Sequence, residues 1–227
     1  MKKIITILAI LYVAVAGYSL YGRMSYTNEL EDPGEDTFQV AMLGDYADDN
    51  FFQDYEKKLE DAAVVLKVKA TGERVYEAKS IGQGAVVEQV FRGDETLVGE
   101  KILLVGNYRL FFLEQDNGEI LHAMNMGFVN YMQEGHEYLI FLQGQVESLG
   151  MGVMYQLVPG IISSIFDYEK HDHVIPTDIK ENNGIMYSQV AENEFFVDSE
   201  VLLHRLEELK IKQLEKFSED SEKNFIR

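Results

Sequence analysis

The sequence has no cysteine, three prolines and half as many cations as anions. Without cysteine there can be no disulfide, no thiolate metal site, no cysteine nucleophile and no lipid-modified N-terminal cysteine. A chain of 227 residues with 46% hydrophobic content can build its core without bridges. Proline is missing for 125 consecutive residues, between Pro33 and Pro159. Because proline is confined to strand edges and bulges, that gap suits a closed or well-paired sheet.

Positive charge is scarce. Twenty Lys and Arg stand against 39 Asp and Glu, a net charge of -19. Three of the cations, Lys2, Lys3 and Arg23, flank the N-terminal apolar run, so the remainder carries 17 against 39, or -22. Nucleic-acid binding depends on Lys and Arg neutralising phosphates, and this balance argues against it. The same charge repels anionic lipid surfaces and favours solubility.

The one long apolar run is residues 4–21, IITILAILYVAVAGYSLY. As a helix it would rise roughly 27 Å, close to the thickness of a bilayer's hydrocarbon core. Lys2 and Lys3 would hold the N-terminus inside, while Tyr18 and Tyr21 would sit at an interface. Residues 1–23 therefore read as a single-pass transmembrane anchor. The other reading is a signal peptide cleaved near Ala16, after the small-residue pattern Ala14-Val15-Ala16. Either way the rest of the chain is expected to be extracytoplasmic, on the cell membrane or secreted.

Residues 24–49 are acidic, carry the breaker pair Pro33-Gly34, and read as a linker. Asp45, Asp48, Asp49 and Asn50 cluster there without the spacing of a calcium loop, so a solvated turn is expected. Phe51, Phe52, Tyr55 and Leu59 then recur at helical spacing, and Asp49 or Asn50 can cap a short helix over residues 51–60.

From residue 62 to residue 142 the pattern turns to strands. AVVLKVKA (63–70) is followed by Thr71-Gly72-Glu73, which reads as a turn, with residues 74–79 either extending the strand or beginning its partner, and AVVEQVF (85–91) ends on Arg92-Gly93-Asp94. That tripeptide has an ordinary turn role at a strand end. Further strands are expected over 101–105, 107–113, 120–126, 137–143 and 154–158, with Asp116-Asn117-Gly118 as a hairpin turn. Short strands punctuated by turns argue for a small barrel or sandwich.

These residues resemble a known family. The AVVLKVKATGE strand, the run AVVEQVFRGDETLVGEKILLV and the strand EGHEYLIFL (134–142) look like the TIMP-like, or netrin-module-like, domain of exported bacterial proteins. The resemblance covers about residues 61–158. It implies a mainly β fold with a small OB-like, five-stranded Greek-key barrel and an extracytoplasmic location. Animal metalloproteinase inhibitors of this superfamily chelate protease zinc through an N-terminal cysteine. This chain has none, so protease inhibition is carried over to no residue. The domain expectation is an anchor over 1–23, a linker over 24–49, a barrel with its leading helix over 50–158, and a C-terminal extension over 159–227.

In that extension, residues 198–217 read as an amphipathic helix with Leu202, Leu203, Leu206, Leu209, Leu214 and Phe217 on its apolar face. Asp198 or Ser199 can cap it, and docking on the chain's own barrel is the default.

No catalytic motif is present: no Gly-x-Ser-x-Gly, no phosphate-binding glycine loop, no His-Glu-x-x-His. No catalytic residue and no cofactor are assigned. His171 and His173, two apart, would share a face on a strand and are weak metal candidates, with Asp167, Glu169 and Asp172 nearby. A polar loop with two exposed histidines is the plainer reading. His136, beside the strand 138–142, reads as a turn residue. Met124, Met126, Met132, Met151 and Met154 read as core filling. The expectation is a membrane-tethered binding module, non-catalytic, for a protein or a cell-wall glycan and not for nucleic acid. The alternative is a metal-dependent enzyme or metal-binding protein built on His171 and His173.

Overall fold

Val64, Val65, Leu66 and Val68 supply β-branched and apolar residues on either side of Lys67, and Val65, Leu66 and Val68 are fully buried. They belong to the first long strand of a computed structural model that describes residues 34–44, 47–77, 80–114, 118–148, 152–177 and 184–218. The expected anchor over 4–21, its cleavage site, Asp45 and Met151 lie outside the described residues. No helix among those described is long and apolar enough to cross a membrane.

The fold is mainly β. In chain order the elements are β1 (Gln39–Ala41), α1 (Asp49–Glu60), β2 (Val64–Glu77), β3 (Ser80–Arg92), β4 (Lys101–Glu114), β5 (Ile120–Asn125), β6 (Glu137–Ser148), β7 (Gly152–Leu157), β8 (Ile165–Asp167), β9 (Gly184–Met186) and α2 (Glu200–Lys216). All nine strands join one mixed sheet in the order β3-β2-β6-β7-β4-β5-β1-β9, with β8 on β6. β3 also pairs with β4, so β2, β3, β4, β7 and β6 form a closed ring of pairings. All are antiparallel except β4 with β7, joined at Leu104↔Tyr155 and Val105↔Gln156.

Strand length makes the ring work. β2 and β3 run 14 and 13 residues, more than twice the usual strand. β2 pairs β6 along Val64–Lys69 and β3 along its whole length, with three register shifts. The largest of these corrects the expected turn at Thr71-Gly72-Glu73. Ala70 opposes Ala85 and Arg74 opposes Gln83, so three residues of β2 face one of β3. The segment is a bulge inside a continuous strand, and Gly72 supplies its positive φ of 73°. Local turn chemistry is real there, but the ladder resumes beyond it.

The described part of the lead-in expected as a linker, residues 34–44 and 47–49, contributes to the core. Phe38, Val40, Met42 and Leu43 are at most 1% exposed, and β1 lies parallel to β5 and antiparallel to β9. The C-terminal extension is likewise built in: β8 pairs β6 and β9 pairs β1. Neither boundary, at 49 or at 158, therefore separates independent segments; Glu35–Arg227 forms one unit. Three-residue strands carry no detectable period, which is why the sequence alone missed them.

The helices frame the ring. α1 is capped by Asp48, whose Oδ1 accepts from the Phe51 N–H at 2.9 Å, rather than by Asp49 or Asn50. Tyr55 and Leu59 face inward, and the Tyr55 hydroxyl donates to the Ser163 carbonyl at 2.9 Å. α2 starts after Ser199 and buries Leu202, Leu203, Leu206 and Leu209. Phe217, just beyond it, packs on Phe91 and Phe141. The apolar stripe thus docks in cis. Asp49 with Arg205, Glu56 with Lys212 and Glu60 with Lys216 join the two helices.

Arg92-Gly93-Asp94 ends its strand as expected. The Arg92 guanidinium donates to the Glu60 and Ala62 carbonyls at 2.8 and 2.6 Å, tying the end of α1 to β3. Asp94 Oδ1 accepts from the Thr96 N–H and hydroxyl, capping a single 3-10 turn. Met124, Met126, Met132 and Met154 are 2–5% exposed and fill the interior.

Candidate functional site

The end of β8 meets the start of β6. Tyr138 and Asp167 are register partners, which sets His136, one residue before β6, beside Asp167. Four residues after Asp167 the chain brings His171 back to the same carboxylate. His136 Nδ1 lies 3.0 Å and His171 Nε2 2.8 Å from Asp167 Oδ2. The three donor atoms fall within 4.8 Å of one another. Two imidazoles on different segments are thus aimed at a single oxygen. Asp167 is 1% exposed, while the side chains of His136 and His171 keep 24% and 11% of their surface. The cluster is closed below and open above.

Asp167 is held from every side. Its Oδ1 accepts from the Glu169 N–H at 2.8 Å, and its own N–H donates to Glu194 Oε1 at 2.9 Å. Glu194 Oε2 in turn accepts from Lys210 Nζ of α2 at 2.5 Å, and Lys210 also donates to the Glu169 carbonyl at 2.7 Å. Burial pushes the Asp167 carboxyl up, but hydrogen bonds from His171, the Glu169 N–H and His136 outweigh it and hold it at about 2. The bond to Asp167 raises His171, against burial. Burial raises Glu194, with Lys210 opposing.

His173 does not join this cluster. Its Nδ1 sits 3.2 Å from the His171 carbonyl oxygen, and its Nε2 accepts from the Phe195 N–H at 3.1 Å. Both ring nitrogens are engaged by backbone, and the ring stacks on Phe195. Burial lowers its pKa. The segment is not a strand, so the expected i, i+2 alignment of His171 and His173 on one face does not arise. Nor are the two fully exposed: both are partly buried. Of the neighbouring acids, Asp167 and Glu169 come to the cluster and Asp172 is exposed outside it. Sequence reasoning missed His136, Glu194 and Lys210. Each lies more than 20 residues from His171 in sequence, and only the β6–β8 pairing and the docking of α2 bring them in.

A second feature opens where β4 leaves the ring. After Val105 the pairing with β7 stops, and the β3 register jumps from Gly82↔Val105 to Ser80↔Arg109. Gly106 marks the bend: a Cβ there would lie 2.6 Å from Leu157 Cδ1, so a side chain would fit only if Leu157 moved. Asn107 Nδ2 donates to the Gly160 carbonyl and fixes the wall. The result is a cleft of about 510 Å³ lined by Ser80, Asn107, Arg109, Gln156 and Ser163 among others. Arg109 is exposed, and among the described residues its guanidinium has no ion pair.

The remaining candidates are structural. His204 pairs with Glu208 at 3.2 Å on the exposed side of α2, and His122 packs against Phe38 and Phe112. Asp48 caps α1 and Asp49 pairs with Arg205. No protein-family model matches the chain, and no curated protein matches it.

Proposed function

We propose that this chain is a non-catalytic binding module, tethered to the membrane through residues 4–21 and facing outward, built on an OB-like Greek-key barrel. The ring of β2, β3, β4, β7 and β6 supports the barrel reading. β2, β3 and β4 follow one another antiparallel, and β6 returns by a long connection to lie beside β2. That order is the Greek key. The resemblance to TIMP-like domains over 61–158 belongs to the same proposal. OB barrels take oligosaccharides or extended chains on their surfaces, and fold alone does not choose among ligands.

The observation that carries the ligand reading is the cleft with its uncompensated Arg109. Ser80, Asn107 and Gln156 supply neutral polar groups, and Arg109 supplies the one cation among the described residues of the lining. This set suits a polyhydroxylated ligand with a carboxylate: cell-wall glycan bearing acidic side groups. Titrating the full-length protein with soluble cell-wall glycopeptides in a calorimeter tests it. Binding should weaken at least about tenfold in Arg109→Ala, the loss of one charge-assisted hydrogen bond. No binding, or equal affinity in the variant, would contradict the proposal.

A further inference from the structure

We infer that His136, Asp167 and His171 form a binding site for a divalent transition ion of the zinc class. The inference is independent of the cleft and of its ligand.

The geometry comes first. Zinc bound at 2.0–2.1 Å by tetrahedral ligands sets those ligand atoms about 3.3 Å apart. His136 Nδ1 and His171 Nε2 stand 3.0 and 2.8 Å from Asp167 Oδ2. Those two distances are within a few tenths of an ångström of that spacing, and all three donor atoms lie within 4.8 Å of one another. The two nitrogens come from segments 35 residues apart and meet one oxygen of a carboxylate that is otherwise buried.

The surroundings match what a ligand set needs. Ligating side chains are usually oriented by outer partners. Asp167 is fixed by the Glu169 N–H at its other oxygen and by Glu194 through its own N–H. His136 Nε2 lies 3.8 Å from Glu169 Oε2, an ion-pair separation that a small shift would close to the carboxylate–histidine bond that orients a ligand. The charged groups facing the cluster from α2 are settled, since Lys210 is paired with Glu194. The exposed edges of His136 and His171 give the ion a path in and leave a coordination position for water.

The donor types choose the ion. Two imidazoles and one carboxylate are too nitrogen-rich for calcium or magnesium, which take oxygen, and without thiolate they do not select a soft ion. Zinc accepts this set, and three protein ligands with an open fourth position make an accessible site.

Metal analysis of the full-length protein after dialysis against Zn²⁺ is the test. One equivalent of zinc is expected in the wild type and in His173→Ala. His136→Ala and His171→Ala should lose it, and Glu169→Ala should bind about tenfold more weakly. Should a ligand variant fail to fold, nitrogen-15 spectra of the wild-type histidines carry the same information. His136 Nδ1 and His171 Nε2 should shift on zinc addition, and His173 and His204 should not. Zinc retained in both ligand variants, or a wild type whose His136 and His171 signals ignore zinc, would overturn the assignment.

Discussion

Lys210 Nζ lies 2.5 Å from Glu194 Oε2, and both residues are less than 10% exposed. Through this pair α2 reaches the backbone of Asp167, because Glu194 accepts the Asp167 N–H with its other oxygen. A helix that looks from sequence like a packing element therefore also steadies the His136–Asp167–His171 cluster. Removing one partner of a buried pair leaves an uncompensated charge. Lys210→Met should destabilise the protein by about 3–5 kcal/mol, and Lys210→Met with Glu194→Gln should recover much of that loss. Urea unfolding of the single and double variants measures both. An additive double variant would mean that the pair is not coupled.

The docking of α2 in cis predicts a contrast between the core it covers and its own exposed side. Phe141 is fully buried and packs edge-on against both Phe166 and Phe217. Phe141→Ala should cost about 3–5 kcal/mol. Val201 is 70% exposed on α2, and Val201→Ala should change stability by less than about 0.5 kcal/mol. Thermal unfolding distinguishes the two, and comparable losses would contradict the packing described.

Arg92-Gly93-Asp94 makes a pH prediction. Hydrogen bonds from the Thr96 N–H and then from its hydroxyl lower the Asp94 carboxyl below its usual range. Since the folded value is depressed, the contribution to stability is present above the unfolded value and lost as pH falls through the folded one. Carbon-13 titration should place Asp94 below an ordinary aspartate, and Thr96→Ala should move it back up. An Asp94 that titrates normally in the wild type would remove this capping role.

The cysteine-free sequence allows a direct test of sidedness. Val201→Cys introduces the chain's sole thiol at an exposed position. In intact cells it should react with a membrane-impermeant maleimide. Labelling only after lysis would place the domain on the cytoplasmic side.

Parts of the long strands and α2 were legible because their apolar residues recur with a clear period, but the strands expected over 101–105 and 107–113 are one, Lys101–Glu114, and β2, β3 and β6 run beyond their expected ends. The β4–β5 hairpin was legible too, since Glu114 does pair with Ile120, while Asp116 and Asn117 of its expected turn lie outside the described residues. Three things were hidden for physical reasons. β1, β8 and β9 are three residues each and exist only through pairing with distant strands. Thr71-Gly72-Glu73 has turn chemistry, yet the ladders on both sides absorb it as a bulge. His171 was visible as a candidate, but its partner was not His173 two residues away. It was His136, 35 residues earlier, joined through the pairing of Tyr138 with Asp167.

The binding role is tested most directly by mapping amide chemical shifts of the full-length protein as soluble cell-wall glycopeptide is added. The account predicts shifts centred on Ser80, Asn107, Arg109 and Gln156, around the point where β4 leaves the ring. Shifts confined to α2 or to the far end of the β4–β5 hairpin, around Glu114 and Ile120, or none at saturating ligand, would contradict it.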